Sequence, residues 1–498
     1  MTAVAQLLTG APSSSVTWNS INWKDINAEV YRLQMRIAKA IRENRRGKVK
    51  ALQRLLTHSF NAKLLAIKRV TENSGRKTAG VDGVTWVSSE DKMQATQTLK
   101  RRGYQPLPLR RIYIPKKNSL IDVRPLGIPT MRDRCMQALH MLALAPIAET
   151  KADRNSYGFR MKRSCADAIE QCFKSLAKQR SSQWILEGDI KSCFDKISHS
   201  WLKENILMDT SILNKWLKSG YIEKKIFYPT EEGTPQGGII SPAAANLVLD
   251  GIEALIKSIT IRSDKVNFVR YADDFIATGS TKEILENKIK PAIESFLKER
   301  GLELSQEKTK ITHINDGFDF LGFNIRKYGR KLLIKPAKKN VLLFLKSVRG
   351  LIKENGTAKT EDLILRLNAR IRGWSNYYRH AVSADAFSYV DHCIFEAINI
   401  WVKRRHPEKS AGWRHKKYFH RQGLRSWIFS VKIRNKRGET RCLELFRASD
   451  VKIKRHIKIQ GEAHPFDPAF KDYFEKRNKR NKINPRDAGK YERQLPLF

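Results

Sequence analysis

The chain has 498 residues and carries 95 Lys and Arg against 50 Asp and Glu, a formal net charge of +45. That length can bury a sizeable core and should hold several domains or subdomains. So large a cationic excess repels itself unless an anionic partner neutralises it, nucleic acid first among them; its spread over aromatic-containing segments disfavours a basic ribosomal-type or membrane-surface protein.

Residues 1 to about 20 are rich in Ala, Ser and Thr and read as loose. From Asn27 to about Val70 apolar residues fall at helical spacing: Val30, Leu33, Ile37 and Ile41, then Val49, Leu52, Leu56 and Phe60. Arg32, Arg36, Lys39, Arg42, Arg45, Arg46, Lys48 and Lys50 crowd the remaining faces. Each alone is solvated surface; together they read as a face for nucleic acid. Trp184 to Ile190 is an apolar strand-like run ending in Asp189. Gly233-Thr234-Pro235-Gln236-Gly237-Gly238 is a tight loop, and a helix-like run follows from Ala243 to Leu255.

Two β-rich runs, Val266–Arg270 and Phe275–Thr278, bracket Tyr271-Ala272-Asp273-Asp274, which predicts a hairpin with two carboxylates at its tip. From Lys335 to about His406 the pattern is mostly helical, with Val341, Leu345, Val348, Leu363, Leu367 and Ile371 as apolar positions. Beyond 407 the chain is aromatic and basic (Trp413, His415, Lys416, Lys417, Tyr418, Trp427). From Lys471 onward nine Lys or Arg face four Asp or Glu with almost no apolar period, and this stretch is expected to be a flexible or RNA-ordered tail.

The six cysteines form no Cys-x-x-Cys pair, which argues for a reducing cytosol and against a structural zinc site. There is no apolar run of about 18 residues and no basic-then-apolar leader pattern, so the expectation is a soluble protein without a membrane partner.

Carboxylate oxygens are the natural ligands of Mg²⁺, which is held by one or two carboxylates plus substrate phosphates. An aspartate at a strand end, a glycine loop and a hairpin with two aspartates, in that order, resemble the palm of a reverse transcriptase. The likeness extends to the reverse transcriptase/maturase proteins of group II introns. It rests on Ala79-Gly80-Val81-Asp82-Gly83-Val84, Arg111-Ile112-Tyr113-Ile114-Pro115-Lys116, Arg124-Pro125-Leu126-Gly127-Ile128-Pro129-Thr130 and Ser156-Tyr157-Gly158-Phe159-Arg160. Phe320-Leu321-Gly322-Phe323 and Ile371-Arg372-Gly373-Trp374-Ser375-Asn376-Tyr377-Tyr378 complete it.

The resemblance implies an α+β right-hand polymerase with an antiparallel palm sheet. Its divisions would be an N-terminal helical extension (1–70), fingers (71–180), palm (181–335), helical thumb or maturase domain (336–406) and a basic DNA-binding region and tail (407–498). Asp189 and Asp273 would hold two Mg²⁺ ions, with Mn²⁺ as a substitute, and Asp274 would be an outer ligand. The Ile190 carbonyl would complete one coordination sphere, whereas Asp195 would only cap or pair with a basic neighbour. Lys116, Arg124 and Lys308 would face the triphosphate, Phe194 the sugar, where a ring excludes a 2′-hydroxyl, and Gln236, in the glycine loop, the base pair or sugar. Arg160, Arg372, Trp374, Tyr377 and Tyr378 would contact RNA.

Partners implied are group II intron RNA, target DNA, a template–primer duplex and dNTPs, in a bacterial cytoplasm or an organelle of bacterial origin. The activity expected is Mg-dependent, target-primed copying of the intron together with help in its splicing. The metal-binding endonuclease of many relatives is not expected. A splicing-only maturase and a domesticated polymerase in defence, repair or spacer acquisition are the alternatives.

Overall fold

The computed structural model describes residues 17–115, 123–234, 237–434 and 438–481. They form two compact units, one from residues up to 168, 185–311 and 459 onward, the other from 169–184 and 312–458.

In the first unit the amphipathic N-terminal stretch is three helices, Trp23–Arg42, Arg46–His58 and Phe60–Thr71. The breaks follow local chemistry: Asn44 sits at a φ of 54°, and the Ser59 hydroxyl accepts from the Ala62 amide to cap the third helix. The face bearing Val30, Leu33, Ile37, Val49, Leu52 and Leu56 is buried, while the eight cations named above are exposed. These helices pack on Met131–Lys151, a helix buried nearly all round.

The strands of this unit are β1 (Leu109–Pro115), β2 (Val123–Ile128), β3 (Trp184–Gly188), β4 (Tyr221–Glu223), β5 (Ile226–Tyr228), β6 (Phe268–Tyr271), β7 (Asp274–Gly279) and β8 (Lys310–His313). They make two four-stranded sheets, β2-β1-β4-β5 and β6-β7-β3-β8. β6 pairs antiparallel with β7, whereas β1 runs parallel to β4.

The helix-like run after the glycine loop is two helices, Ser241–Leu249 and Ile252–Ile259. Gly251, at a φ of 106°, breaks them, a backbone state that costs glycine little. The break turns Asp250 into the interior to meet Arg270 at 2.5 Å.

The C-terminal stretch corrects an expectation. As far as it is described it is no loose tail: Lys471–Asn481 is a helix, and the segment from Ile459 docks on the first unit. Asp167 accepts from the Ile459 amide at 2.7 Å and from Arg477 at 2.8 Å. Arg163 donates to the Gly461 carbonyl at 2.6 Å, and Phe466 and Phe474 are buried. Ion pairs and a few aromatic anchors hold this segment, so it has no apolar stripe from which docking could be read.

The second unit contains a three-stranded meander, β9 (Phe318–Phe320), β10 (Phe323–Tyr328) and β11 (Lys331–Pro336). Three helices follow, Lys338–Glu354, Thr360–Tyr378 and Ala384–Arg405, then a short helix, Ala411–Tyr418. The basic, aromatic region ends in a second antiparallel sheet of β12 (Phe419–Gln422), β13 (Arg425–Arg434) and β14 (Thr440–Glu444). No helix among the described residues is long and apolar enough to cross a membrane.

Candidate active site

The site is built on two neighbouring strands of one sheet. The β6–β7 hairpin pairs Tyr271 with Asp274 and leaves Ala272 and Asp273 as its two-residue turn. Ala272 has a φ of 59°, a left-handed state unusual for alanine, and is held there from below. Gly158 lies against its amide so closely that a Cβ would collide with backbone. The Arg270 guanidinium donates to the Ala272 carbonyl at 3.2 Å and to Asn246 Oδ1 at 3.0 Å, and Asn246 donates to the Gly158 carbonyl at 2.8 Å.

β3 lies beside β7, which brings Asp189, just past its end, to the hairpin. The Ser305 amide donates to the Asp189 carbonyl at 2.8 Å, and Ile190 bridges to Leu304. The Lys308 ammonium donates to Asp189 Oδ2 at 2.9 Å.

Burial, then the neighbouring charges of Asp273 and Asp189, pushes the Asp274 carboxyl up to about 7. Asp273 is also raised, by burial first and by Asp189, with Arg124 and Lys308 opposing. The bond to Asp189 raises the Lys308 ammonium in turn. The Asp273 and Asp274 carboxyls are thus raised by burial and by neighbouring negative charge, with the Lys308 ammonium opposing. An all-oxygen donor set with excess negative charge suits Mg²⁺. The residues fit that ion.

Asp189, Asp273 and Lys308 open on a cleft of about 1420 Å³ whose walls also include Arg124, Phe159, Ile190 and Phe194. Phe194 is half-buried and meets Phe159 edge-on at 6.4 Å. Arg124, on β2, is exposed toward the cleft. Asp195 also lines it, and Gly233, at a φ of 82°, packs against the Asp195 backbone with no room for a Cβ. Lys116 and Gln236 lie outside the described residues.

The expected RNA contacts fare differently. Arg160 is buried, paired with Glu149 at 2.9 Å and donating to the Asp153 and Ser156 carbonyls, so it braces the interior and is closed to RNA. In the second unit Tyr378 is buried and Trp374 is half-buried, stacked on Phe344 at 4.7 Å. Tyr377 donates to the Leu321 carbonyl at 2.8 Å and Tyr378 to that of Gly322 at 3.2 Å. These rings clamp the β9–β10 turn, where Leu321 and Gly322 both have positive φ, the form a two-residue hairpin favours. Their aromatic faces are used in packing. Arg372 alone of the set is exposed, over the Phe446 ring at 4.8 Å.

Sequence reasoning missed Gly158, Asn246, Asp250 and Arg270. The one available signal was a charged residue, Arg270, directly after the apolar pair Phe268 and Val269 in a strand.

Residues 114–325 match the reverse transcriptase (RNA-dependent DNA polymerase) family, and residues 18–99 match the N-terminal domain of reverse transcriptase. The fold is that of a reverse transcriptase. Residues 341–419 match the group II intron maturase-specific domain. Protein YkfC of Escherichia coli K12 is 34% identical over 327 residues, 56% of this chain and 84% of that protein. The group II intron-encoded protein LtrA of Lactococcus lactis is 31% identical over 332 residues, 53% of this chain and 54% of LtrA, so the match spans about half of LtrA. An uncharacterized 91 kDa protein in the cob intron of Schizosaccharomyces pombe is 27% identical over 67% of this chain and 51% of its own length. The chain belongs to the group II intron reverse transcriptase/maturase family and is an RNA-directed DNA polymerase.

Proposed function

We propose that this protein binds group II intron RNA, assists its splicing and copies it into DNA from a primer at the target site, using dNTPs and Mg²⁺. The observation that carries this reading is the gathering of Asp189 and Asp273 with Lys308 and Arg124 on the walls of one open cleft, with Asp274 next to Asp273, in a chain of net charge +45. Divalent ions, when bound, would supply activation of the primer hydroxyl and charge stabilisation of the leaving pyrophosphate oxygen. Asp189 and Asp273, with the Ile190 carbonyl, are the residues that would hold them, and Asp274 would support from outside. Arg124 and Lys308, joined by Lys116, orient and neutralise the triphosphate; the Arg fork and the compact Lys charge suit different oxygens. Purified protein and intron RNA, given a target duplex, dNTPs and Mg²⁺, should yield DNA complementary to the intron; splicing assistance without any DNA product would favour the splicing-only alternative.

Phe194 presents an apolar ring to the cleft, where a ribose hydroxyl would find no hydrogen-bond partner on that ring. Phe194→Val is therefore expected to raise ribonucleotide over deoxynucleotide incorporation by about 10- to 100-fold. Primer extension with competing rNTP and dNTP reads the ratio, and an unchanged ratio would assign the ring to packing.

Binding to intron RNA should weaken steeply with salt, because each neutralised phosphate releases counterions, with a log–log slope of about 0.7 to 0.9 per contact. Filter binding across a salt series measures it. A flat response would separate the cationic surface from RNA recognition.

A further inference from the structure

The aromatic, basic sheet of the second unit contains a cluster that the polymerase chemistry does not use. On β13 the alternate residues Ile428, Ser430 and Lys432 share one face. Their partners in register are His420 on β12 and Glu444 and Cys442 on β14. His420 Nε2 lies 3.2 Å from Glu444 Oε1 and 4.0 Å from Cys442 Sγ, and the three ligand atoms all lie within 4.8 Å of one another. Among the described residues this is the one group of three or more His, Cys, Asp or Glu side chains so closely gathered.

The other edge of the His420 ring is engaged. Nδ1 stands 2.6 Å from Ser430 Oγ and 3.3 Å from the Ile428 carbonyl. A proton on Nδ1 would satisfy that carbonyl and leave Nε2, beside Glu444, to bind a metal, while Cys442 Sγ stands 4.0 Å from both ring nitrogens. Imidazoles that bind metals are held in this manner, by a second nitrogen bonded to protein.

We propose that His420, Cys442 and Glu444 form a zinc site that ties β12 to β14 across β13. Tetrahedral Zn²⁺ with sulfur at about 2.3 Å and nitrogen and oxygen at about 2.0–2.2 Å sets its ligands about 3.4–3.6 Å apart. The separations found here, 3.2 Å and 4.0 Å from Nε2 and none above 4.8 Å, lie around that value, so side-chain rotations that draw Sγ toward Nε2 would complete the site. A thiolate and a carboxylate balance the two charges of the ion, and the imidazole stays neutral. Mg²⁺, which demands oxygen ligands in an octahedron, does not suit a sulfur and a nitrogen. The fourth position is left to water. No Cys-x-x-Cys signal marks the site, because its ligands lie on two strands joined only by pairing to the strand between them.

The test uses the full-length protein, reduced without added thiols and stripped of metal, then titrated with Zn²⁺ and separately with Co²⁺. One equivalent of Zn²⁺ should bind per chain. The Co²⁺ form should show tetrahedral d–d bands and a sulfur-to-cobalt charge-transfer band. Cys442 is exposed, so Cys442→Ser should fold, which circular dichroism checks, and should lose the charge-transfer band. Ser430→Ala keeps all three ligands and should weaken Zn²⁺ binding about 10- to 100-fold. Failure of the native chain to bind stoichiometric Zn²⁺ would overturn the site and leave a His420–Glu444 ion pair with a bystander thiol. A charge-transfer band that survives in Cys442→Ser would overturn it too, by moving the metal to another cysteine.

Discussion

Asp273→Asn is expected to lower DNA synthesis by about a thousandfold or more while leaving the fold and RNA binding intact. The substitution keeps the shape of the side chain and removes its charge, at a turn residue that lines the cleft. A carboxylate that helps place divalent ions supplies several kcal/mol of transition-state stabilisation, and about 4 kcal/mol corresponds to three decades in rate. Asp273 is itself raised by burial and by Asp189, so the amide relieves repulsion and the variant should be no less stable than the parent. Single-turnover primer extension, with a thermal melt and an RNA-binding isotherm in parallel, separates these effects. Primer extension near the parental rate would remove Asp273 from the site.

Arg270→Leu is expected to destabilise the first unit by about 3–5 kcal/mol and to abolish polymerisation with it. Arg270 is fully buried, and its guanidinium meets Asp250 at 2.5 Å, Asn246 at 3.0 Å and the Ala272 carbonyl at 3.2 Å. Removing one partner of a buried pair leaves the other charge without compensation, and that is the costly case. Asp250 would then lie beside Asp153, whose carboxyl is already pushed up to about 6 by burial and by Asp250. Denaturant unfolding should show an earlier midpoint. Arg270→Leu combined with Asp250→Leu should recover part of the loss, since both charges are then gone. A single variant within about 1 kcal/mol of the parent, an ordinary effect for a point mutation, would show that the pair is not what holds the hairpin.

Several features could be read from residues without any structure. Alternation of β-branched and aromatic residues around Tyr271–Asp274 marked the hairpin because strand propensity and turn chemistry act locally. The N-terminal helices were legible from a 3.6-residue period with cations opposite, and the chain's net charge called for an anionic partner. The motif series carried the family, which the maturase-specific match at 341–419 and the YkfC relative establish.

What only the tertiary structure decided are the properties that depend on what packs behind a residue. The helix Met131–Lys151 is buried nearly all round, so it has no polar face to give it a period. Arg160 and Tyr378 carry groups that suit RNA, yet one is spent on Glu149 and the other on the Gly322 carbonyl. The docking of Arg477 on Asp167, 310 positions earlier in the chain, leaves no local trace. Nor does the meeting of His420 with Cys442 and Glu444, which strand register alone brings about. Local sequence determines element type through backbone and side-chain preferences; burial, ion pairing and ligand geometry are set by partners distant in the chain.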